Sequence, residues 1–353
     1  MNLAVLSAAN SSHTVKIVNA LADRGHRVVL YSLPQHKDVD HAISSDVSLV
    51  YLDKPSYTKN HKQLASLLVK QKAEVLYAHY ATGYGTLARK AKFQPTVLAV
   101  WGSDVYDFPF KSPIHAWLLR KNLKFPRVIF STSHAMAVRT RQFTKTPIVE
   151  TPFGVDVTRF SPNKQENGDV IRIGYLKIVA EIYGIEDLIR GFALLLEKTK
   201  NPNLELAIYG DGNLLDAMKV LAGQLNIENQ VVFHGRIPHK DAPKALNTMD
   251  ILCVPSHRES FGVSAIEGMA CGIPCVVSKA DGLQEVTKDG ETGLTVECKS
   301  PASICNALET LVQNPELRQK MGKAGRERAC ALYDWEKNIT TIENALTDAS
   351  KLS

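Results

Sequence analysis

Short apolar runs alternate with amphipathic stretches along almost the whole chain, and this alternation limits the folds that are open to it. Seven runs in the first half have the length of buried strands, at residues 3–7, 27–31, 47–52, 74–78, 96–101, 127–131 and 147–151. Six more follow at residues 170–176, 205–209, 230–234, 251–256, 273–278 and 293–296. Helical patterns lie between several of them, for example at residues 15–24, 62–72, 185–198, 214–225, 240–248 and 263–271. Because this order builds parallel sheets with helices on both faces, we predict an α/β protein with doubly wound sheets.

The length of 353 residues suits two domains. A polar stretch at residues 161–168 interrupts both patterns and marks a boundary. We predict a first domain over residues 1–155, a second over 156–334, and a final segment over 335–353 whose helix returns to the first domain. The last third is helical by pattern, at residues 302–311, 315–321 and 335–348. Ligands of doubly wound sheets bind at the carboxyl ends of the strands, so we expect the site in a cleft between two facing Rossmann-like domains.

The composition, with 44% hydrophobic and 22% charged residues, is typical of a globular protein. No apolar stretch approaches the roughly 20 residues of a membrane-spanning helix. The N-terminus has no basic leader, so we expect a cytoplasmic protein. The six cysteines lack the spacing of a metal site, and Asp38-Val39-Asp40 is an isolated D-x-D in a polar loop, so we expect no metal.

The charge is unevenly distributed. Residues 1–160 hold 21 Lys and Arg against 10 Asp and Glu, whereas the remainder holds 21 against 26. The excess is concentrated in residues 111–145, where apolar side chains are interleaved with the basic ones. Such a stretch can lie against an anionic membrane surface or attract an anionic substrate, or it is simply a solvated basic face. No nucleic-acid-binding module accompanies the charge, so we expect no nucleic-acid partner.

The segment 255–270 carries the clearest chemical signal. It leaves a strand and enters a helix at Gly262, where the first backbone N–H groups have no intrahelical partner. Those donors and the positive end of the helix dipole suit a diphosphate. Glu259 precedes the helix and Glu267 lies inside it, so that one carboxylate can contact hydroxyl groups at each end of a ligand.

These residues carry a resemblance. Glu259 and Glu267 are separated by seven residues in a context similar to the E-x7-E signature of the family-four retaining glycosyltransferases, which have the GT-B fold. Four further blocks resemble segments of that family. The block Gly154-Val155-Asp156-x-x-Arg159-Phe160-x-Pro162 resembles the segment that joins the two domains, and Tyr209-Gly210-Asp211-Gly212 resembles the strand-end glycines of the second domain. Phe233-His234-Gly235-Arg236-Ile237-Pro238 resembles the loop that holds the nucleotide base, and Trp101-Gly102-Ser103-Asp104 resembles a turn on the acceptor side. The resemblance covers essentially the whole chain.

The resemblance implies roles for individual residues. Glu267 would hold the ribose of a nucleotide sugar and Glu259 a hydroxyl of the sugar. The other implied donor-binding residues are Gly174, Gly210, Arg236, Ile237, Ser260, Phe261, Gly262 and Val263. The family transfers the sugar with retention, and the departing nucleotide helps to accept the proton of the acceptor. This chemistry requires stabilised charge on the diphosphate rather than a strong base.

The chain departs from the family at its phosphate-binding cations. Tyr175 follows Gly174 where the family commonly has Arg, and Ile182-Tyr183 covers the positions where it commonly has Lys. Lys177 is the cation left in this segment, and we predict that it neutralises the diphosphate. The alternative is a surface lysine, in which case either catalysis depends on the helix end or the activity is weak or lost.

Two residues of the first half are candidates for the acceptor side. His13 follows the first strand, and Asp104 lies in a Gly-Ser-Asp turn after the strand at 96–101. We predict acceptor contacts or an orienting carboxylate, with helix capping or simple packing as the alternative. His79 and His134 are weaker candidates at other strand ends.

The sequence therefore predicts a retaining glycosyltransferase that uses no metal or other cofactor. Its partners would be a nucleotide-diphosphate sugar, a saccharide or polyprenyl-linked acceptor, and an anionic membrane surface on the cytoplasmic side. Synthesis of a cell-surface polysaccharide or glycolipid would fit these partners. The alternatives are a non-catalytic nucleotide-sugar-binding subunit and, because they use the same architecture, a sugar-nucleotide epimerase or a phosphorylase.

Overall fold

The chain forms two compact units in the computed structural model, which describes residues 1–38, 42–163, 168–201 and 203–351. The first unit contains residues 1–153 and 336–353, and the second contains residues 154–335. Val39 and Asp40 of the D-x-D sequence and residues 164–167 of the polar boundary stretch lie outside the described residues.

The first unit is built on a parallel sheet of seven strands. They are β1 (Asn2–Leu6), β2 (Arg27–Ser32), β3 (Ser48–Tyr51), β4 (Val75–His79), β5 (Thr96–Val100), β6 (Val128–Ser131) and β7 (Ile148–Glu150), in the order β3-β2-β1-β4-β5-β6-β7. The helices that follow the strands are α1 (Ser12–Asp23), α2 (His61–Gln71), α3 (Gly83–Ala91), α4 (Ser103–Tyr106), α5 (Pro113–Leu123) and α6 (His134–Arg141). The central strands β4 and β5 are buried along their whole length, because helices cover both faces of the sheet.

The second unit repeats the scheme with six parallel strands. They are β8 (Ile171–Leu176), β9 (Leu204–Tyr209), β10 (Val231–Gly235), β11 (Ile251–Val254), β12 (Cys275–Ser278) and β13 (Gly293–Val296), in the order β10-β9-β8-β11-β12-β13. Its helices are α7 (Ile185–Thr199), α8 (Leu215–Gln224), α9 (Ala242–Leu246), α10 (Val263–Ala270), α11 (Asp281–Val286), α12 (Pro301–Gln313) and α13 (Pro315–Leu332). A core of buried aliphatic and aromatic side chains joins this sheet to α7, α8 and α12.

The final helix, α14 (Trp335–Lys351), belongs almost entirely to the first unit. Its buried side chains recur every three to four residues, at Ile339, Ile342 and Leu346. Glu343 anchors it by accepting hydrogen bonds from Arg24 and His26, at 2.8 and 2.7 Å. The chain thus leaves the first unit at residue 153 and returns to it at residue 336.

Both sheets have the Rossmann strand order, in which the chain proceeds outward from the first strand to one side and then resumes on its other side. The prediction of an α/β fold with two doubly wound parallel sheets is confirmed. The described part of the chain contains no helix that is both long enough and apolar enough to cross a membrane.

Two helix predictions were wrong in their limits. The helix at residues 315–321 extends to Leu332, because Gly322 and Gly325 serve close packing rather than ending the helix. The helix predicted at residues 240–248 is a 3-10 turn over His239–Asp241 followed by α9. Pro243 has no N–H to donate, so it fits the first turn of α9 but would interrupt the interior of a longer helix.

We expect opposite effects from the same substitution in two helices of the second unit. A Cβ at Gly322 of α13 would overlap the carbonyl oxygen of Gly272, whereas a Cβ at Gly223 of α8 would meet nothing within 4 Å. Gly322→Ala should therefore lower the free energy of unfolding by about 1–3 kcal/mol. Gly223→Ala should raise it by about 0.5–1 kcal/mol through helix propensity. Urea unfolding monitored by circular dichroism measures both, and a stabilising Gly322→Ala would contradict this packing.

Candidate functional site

The second sheet places three strand ends at one edge. Strands β8 and β11 are neighbours, and β9 lies on the other side of β8. The chain leaves β8 toward β9 and leaves β11 toward β12, so the connections diverge and leave a crevice at the carboxyl edge. Lys177 follows β8, Gly210 follows β9, and the loop 255–262 follows β11 at this edge.

An ion pair joins the two central strand ends. The ammonium group of Lys177 contacts Oε2 of Glu259, although the two residues are 82 positions apart. Both side chains are largely buried, with 16% of Lys177 and 13% of Glu259 exposed. The ammonium also lies 4.6 Å from the ring centroid of Tyr183, and the hydroxyl of Ser256 donates to Glu259 at 3.4 Å. The structure therefore brings together two residues that the sequence assigned separately to sugar and diphosphate.

Gly210 allows the end of β9 to approach the Lys177 loop. A Cβ at residue 210 would overlap the backbone carbonyl oxygen of Lys177. The N–H of Lys177 donates to the Tyr209 carbonyl at 3.0 Å, and that of Val179 donates to the Asp211 carbonyl at 3.0 Å. The strand-end glycine thus positions the backbone that carries the lysine.

The helix α10 begins at the same edge. Gly262 precedes it with a φ of +101°, a left-handed conformation in which a residue with a Cβ would be strained. Within the part of the chain that the structure describes, no side chain caps this helix end. The Oγ atom of Ser264 in its first turn is buried and has no hydrogen-bond partner among the described residues. The helix N-terminus at which we predict the amide donors therefore lies at this edge, and Phe261 is buried beside Tyr333 at 5.7 Å between ring centroids.

Glu267 forms a second polar pair farther along α10. Its Oε1 atom lies 2.7 Å from Nε2 of His239, and only 8% of the glutamate side chain is exposed against 64% of the histidine. Arg159 holds His239 in place by donating to its carbonyl oxygen at 2.6 Å. His239 was not among the predicted site residues, although the block 233–238, which resembles the base-binding loop of the family, ends one residue before it.

The remaining predicted donor-binding residues have different surroundings. Gly174 lies within β8, where a Cβ would overlap the Sδ atom of Met249, so it provides close core packing. Exposed Arg236 and half-buried Ile237 lie between β10 and the 3-10 turn that carries His239. Ser260 is half-buried in the loop after β11. The N–H of Gly282 donates to the Glu259 carbonyl at 3.0 Å and tethers this loop to α11.

Asp104 is fully buried in the first unit. Its carboxylate accepts hydrogen bonds from the backbone N–H groups of Ala81 at 2.9 Å, Gly102 at 2.9 Å and Trp101 at 3.2 Å. Burial raises the pKa of this carboxyl, while the three N–H donors act in the opposite direction. The carboxylate thus joins the ends of β4 and β5 through backbone hydrogen bonds, and its part on the acceptor side stays a prediction.

His13 and His79 belong to an aromatic cluster at the carboxyl edge of the first sheet. His13 stacks on Phe153, with 3.9 Å between ring centroids. The ring centroids of Trp101 and His79 are 4.5 Å apart. Nδ1 of His79 bonds to the hydroxyl of Ser7 at 3.0 Å, whereas its Nε2 is buried without a hydrogen-bond partner among the described residues. The weaker candidate His134 lies elsewhere and bonds to Glu150 at 2.7 Å.

Among the residues that the structure describes, no group of three or more His, Cys, Asp or Glu side chains is arranged to hold a metal ion. The six cysteines are free thiols, and four of them, Cys253, Cys271, Cys275 and Cys305, are buried. Burial raises the pKa of Cys271 and of Cys275 to about 12, which keeps these thiols protonated and unreactive.

Comparison with known families agrees with this architecture. The model of the "Glycosyl transferases group 1" family matches residues 156–328, and that of "Glycosyl transferase 4-like" proteins matches residues 2–133. Together the two models span most of the chain. The chain belongs to the family-four group of glycosyltransferases.

This chain aligns with half of one relative and with nearly the whole of another. The chain is 32% identical to D-inositol 3-phosphate glycosyltransferase from Corynebacterium jeikeium over 207 residues, which are 54% of this chain and 49% of that protein. It therefore spans about half the length of that relative. It is 22% identical to N-acetyl-alpha-D-glucosaminyl L-malate synthase from Bacillus anthracis over 351 residues, which are 93% of this chain and 91% of that protein.

Solved structures share the GT-B fold with this chain. Sucrose-phosphate synthase from Thermosynechococcus elongatus superposes with a TM-score of 0.84 at 20% identity, over 99% of both chains. Anabaena HepE, solved in complex with UDP, superposes with a TM-score of 0.81 at 18% identity, over 99% of this chain and 100% of that one. At these identities the likeness concerns the fold alone.

The buried histidine predicts a pH-dependent stability. Burial, assisted by the nearby His13, lowers the pKa of His79 to about 3 from an ordinary value near 6.5. Between these values the unfolded chain binds a proton that the folded chain does not, so the free energy of unfolding falls as the pH falls, by about 1.4 kcal/mol per pH unit.

His79→Gln should remove this contribution. Between about pH 4 and 6, the unfolding free energy of the variant should fall less steeply with decreasing pH, by the equivalent of one proton. Urea unfolding at a series of pH values measures the slope, and His79→Asn provides an independent replacement. Equal slopes in the wild type and both variants would contradict the buried neutral imidazole.

Proposed function

We propose that this protein is a retaining glycosyltransferase that moves a sugar from a nucleotide-diphosphate sugar to a saccharide or lipid-linked acceptor. The observation that carries the proposal is the position of two polar pairs along α10. Lys177 and Glu259 lie at its N-terminal end, and His239 and Glu267 lie farther along it. A nucleotide sugar has its sugar and diphosphate at one end and its ribose at the other.

The spacing along the helix fits such a donor. Glu267 lies four residues after Val263, the first residue of α10, which corresponds to about 6 Å along the helix axis. The first amides of α10 would bind the diphosphate, and the free oxygen positions of Glu267 would accept from ribose hydroxyls. His239 would keep the buried carboxylate oriented toward the nucleotide, because a buried carboxylate requires hydrogen-bond partners.

Lys177 would exchange partners when the donor binds. In the structure, Glu259 compensates the ammonium charge. The diphosphate, with at least as much negative charge, would draw Lys177 toward itself and free Glu259 to accept from a sugar hydroxyl. Tyr175 donates to the Ile178 carbonyl at 2.8 Å, and the Tyr183 ring lies beside the ammonium. These two tyrosines, at or near positions where the resemblance implies cations, would thus help to position the lysine for this role.

Transfer would follow from electrostatic stabilisation of the leaving group. As the bond between the sugar and the diphosphate breaks, negative charge develops on the phosphate oxygen, which Lys177 and the helix amides stabilise. The acceptor hydroxyl would attack from the face that the nucleotide leaves and would give its proton to that phosphate oxygen. These steps use the groups of this chain without a metal ion, so treatment with EDTA should leave the rate unchanged.

The relatives support this class of donor and an acceptor with negative charge. Two names, D-inositol 3-phosphate glycosyltransferase and N-acetyl-alpha-D-glucosaminyl L-malate synthase, contain the anionic compounds inositol phosphate and malate. Structures of Anabaena HepE contain UDP and UDP-glucose. The basic first unit suits an acceptor that carries phosphate or carboxylate groups, including a polyprenyl diphosphate at the cytoplasmic face of a membrane.

Removing either carboxylate should abolish most of the activity. Glu259→Ala and Glu267→Ala should each reduce sugar transfer on the order of 100-fold, because each loses a contact with the donor that orients it for reaction. The assay measures nucleotide release from a panel of nucleotide sugars. Glu228→Ala, a change at an exposed glutamate of the same unit, serves as the control. Normal transfer by both site variants would reject the proposal, whereas donor binding by the wild type without transfer would identify a non-catalytic binding subunit.

Lys177 should act through its charge. Lys177→Met should weaken donor binding and lower kcat/KM on the order of 10- to 100-fold, and Lys177→Arg should retain part of the activity because it keeps the cation. Calorimetric titration with the donor measures the affinity directly. Lys279→Met, which removes a lysine from an exposed ion pair with Glu297, is the matched control. Unchanged affinity in Lys177→Met would remove this residue from the diphosphate site.

A further inference from the structure

The exposed face of α5 combines apolar and basic side chains. Its exposed residues recur every three to four positions and therefore lie on one side of the helix, namely Pro113, Ile114, Trp117, Arg120, Lys121 and Lys124, the last just beyond the helix end. The first half of this face is apolar and the second half is basic. The opposite side of α5, which includes Leu119 and Leu123, is buried in the first unit.

The segment around this helix has charge of one sign. Residues 108–149 contain no Asp or Glu, and they contain eight Lys and Arg, at positions 111, 120, 121, 124, 127, 139, 141 and 145. No acidic side chain within the segment therefore compensates this positive charge. The segment is therefore a concentrated source of positive potential on the first unit.

Exposed apolar side chains are concentrated in the same segment. Among the described residues, ten large apolar side chains are exposed, and four of them, Phe110, Ile114, Trp117 and Val138, belong to residues 108–149. The exposed fractions are 60% for Phe110, 74% for Ile114 and 53% for Trp117. A single exposed apolar side chain is common on protein surfaces, but such a group within a strongly basic segment indicates an interaction surface.

Contacts between cations and aromatic rings join these residues into one surface. The Lys121 ammonium lies 3.9 Å from the ring centroid of Trp117, and the Arg139 guanidinium lies 4.6 Å from that of Phe110. The ring centroids of Phe110 and Phe143 are 6.3 Å apart. The Arg120 guanidinium lies over the Phe143 ring, 5.6 Å from its centroid. We name this surface the α5 face and define it as Phe110, Ile114, Trp117, Arg120, Lys121, Lys124 and Arg139.

We infer that the α5 face docks on an anionic lipid bilayer. Ile114 and Trp117 would enter the boundary between headgroups and acyl chains, and the basic residues would contact lipid phosphates. A nucleic acid would use the charge but would leave the aliphatic side chain of Ile114 without an apolar partner. A bilayer with anionic headgroups satisfies both halves of the face, since it offers negative charge at its surface and hydrocarbon directly beneath.

The location of the face gives this docking a use. The turn of Trp101 and Asp104 lies at the carboxyl edge of the first sheet, and α4 and the 3-10 turn Phe108–Phe110 lead from it directly to α5. Docking would therefore keep this edge of the sheet, at which we expect the acceptor to bind, close to the membrane. This use rests on the proposed function, because it applies to a lipid-linked acceptor, whereas the docking itself can be measured without any transfer.

Vesicle binding by the full chain, without nucleotide or acceptor, tests the inference. The protein should bind vesicles of phosphatidylcholine mixed with phosphatidylglycerol, release them as salt is added, and bind vesicles of phosphatidylcholine alone weakly. Replacing Arg120, Lys121 and Lys124 by Glu should weaken binding by about fivefold or more for each residue. Ile114→Ser combined with Trp117→Ser should weaken it as well. Lys219→Glu with Val220→Ser, the matched change on exposed positions of α8, should have no effect.

Tryptophan fluorescence tests the depth of docking in the wild type, which avoids any variant that fails to fold. Lipids with brominated acyl chains should quench Trp117, because this indole would reach the acyl boundary. The other two tryptophans are less accessible, since Trp335 is buried and Trp101 is half-buried within the aromatic cluster of the first sheet. Trp117→Phe should remove the quenching and keep most of the binding. Binding that ignores anionic lipid and salt, or quenching that persists in Trp117→Phe, would overturn the inference. Equal binding to soluble polyglutamate without quenching by brominated lipid would overturn it in favour of an acidic protein partner.

The two proposals fail in different ways. Sugar transfer to a water-soluble acceptor without vesicle binding would overturn the docking and leave the transferase intact. Vesicle binding without transfer from any nucleotide sugar would overturn the transferase and leave the docking intact. The Glu variants of the α5 face should retain transfer to an uncharged water-soluble acceptor, since these residues have no part in the donor site and such an acceptor has no charge for them to attract.

Discussion

The ion pair of Lys177 and Glu259 depends on a reversal of strand order in the second sheet. Strands β8 and β11 lie side by side, but the chain passes from β8 to β9 and β10 on one side before it returns to β11. The connections after β8 and β11 diverge and leave the carboxyl edge between them open. Lys177 and Glu259 meet in that opening, and Gly210 admits the third strand end beside them. The donor site that we propose is therefore a consequence of topology as much as of residue type.

The helix that starts at this edge links the two ends of the site. Glu267 is nearly buried, and a carboxylate in that position is costly unless it is paired. His239 pairs with it, and Arg159 fixes the backbone of His239. Arg159 lies in the segment at the start of the second unit, so this segment helps to define the orientation of a side chain on α10. A block that resembles a connection between domains thus also supports the site.

The first unit uses the same strand order with different chemistry. Its carboxyl edge carries the cluster of His13, His79 and Trp101, and the carboxylate of Asp104 is occupied by three backbone amides. Buried His79 is held neutral, which weakens the fold in acid. The basic surface of this unit lies on α5 and its neighbours, separate from the buried polar groups. The residues that support the fold therefore differ from those that we propose to attract an anionic partner.

The positions of the strands could be predicted from sequence because each is a short apolar run bounded by turn residues, and a run such as residues 74–78 is buried in any parallel sheet. The α10 block was equally accessible, since Gly262, Glu259 and Glu267 are close together along the chain. Three features could not be predicted from the sequence, namely the contact of His239 with Glu267, the buried state of Asp104 and the continuation of α13 beyond Gly322. Each depends on a neighbour that is distant in sequence: Glu267 for His239, Ala81 for Asp104, and Gly272 for Gly322. Local pattern determines which segments become strands and helices, whereas strand order and packing decide which of their side chains meet.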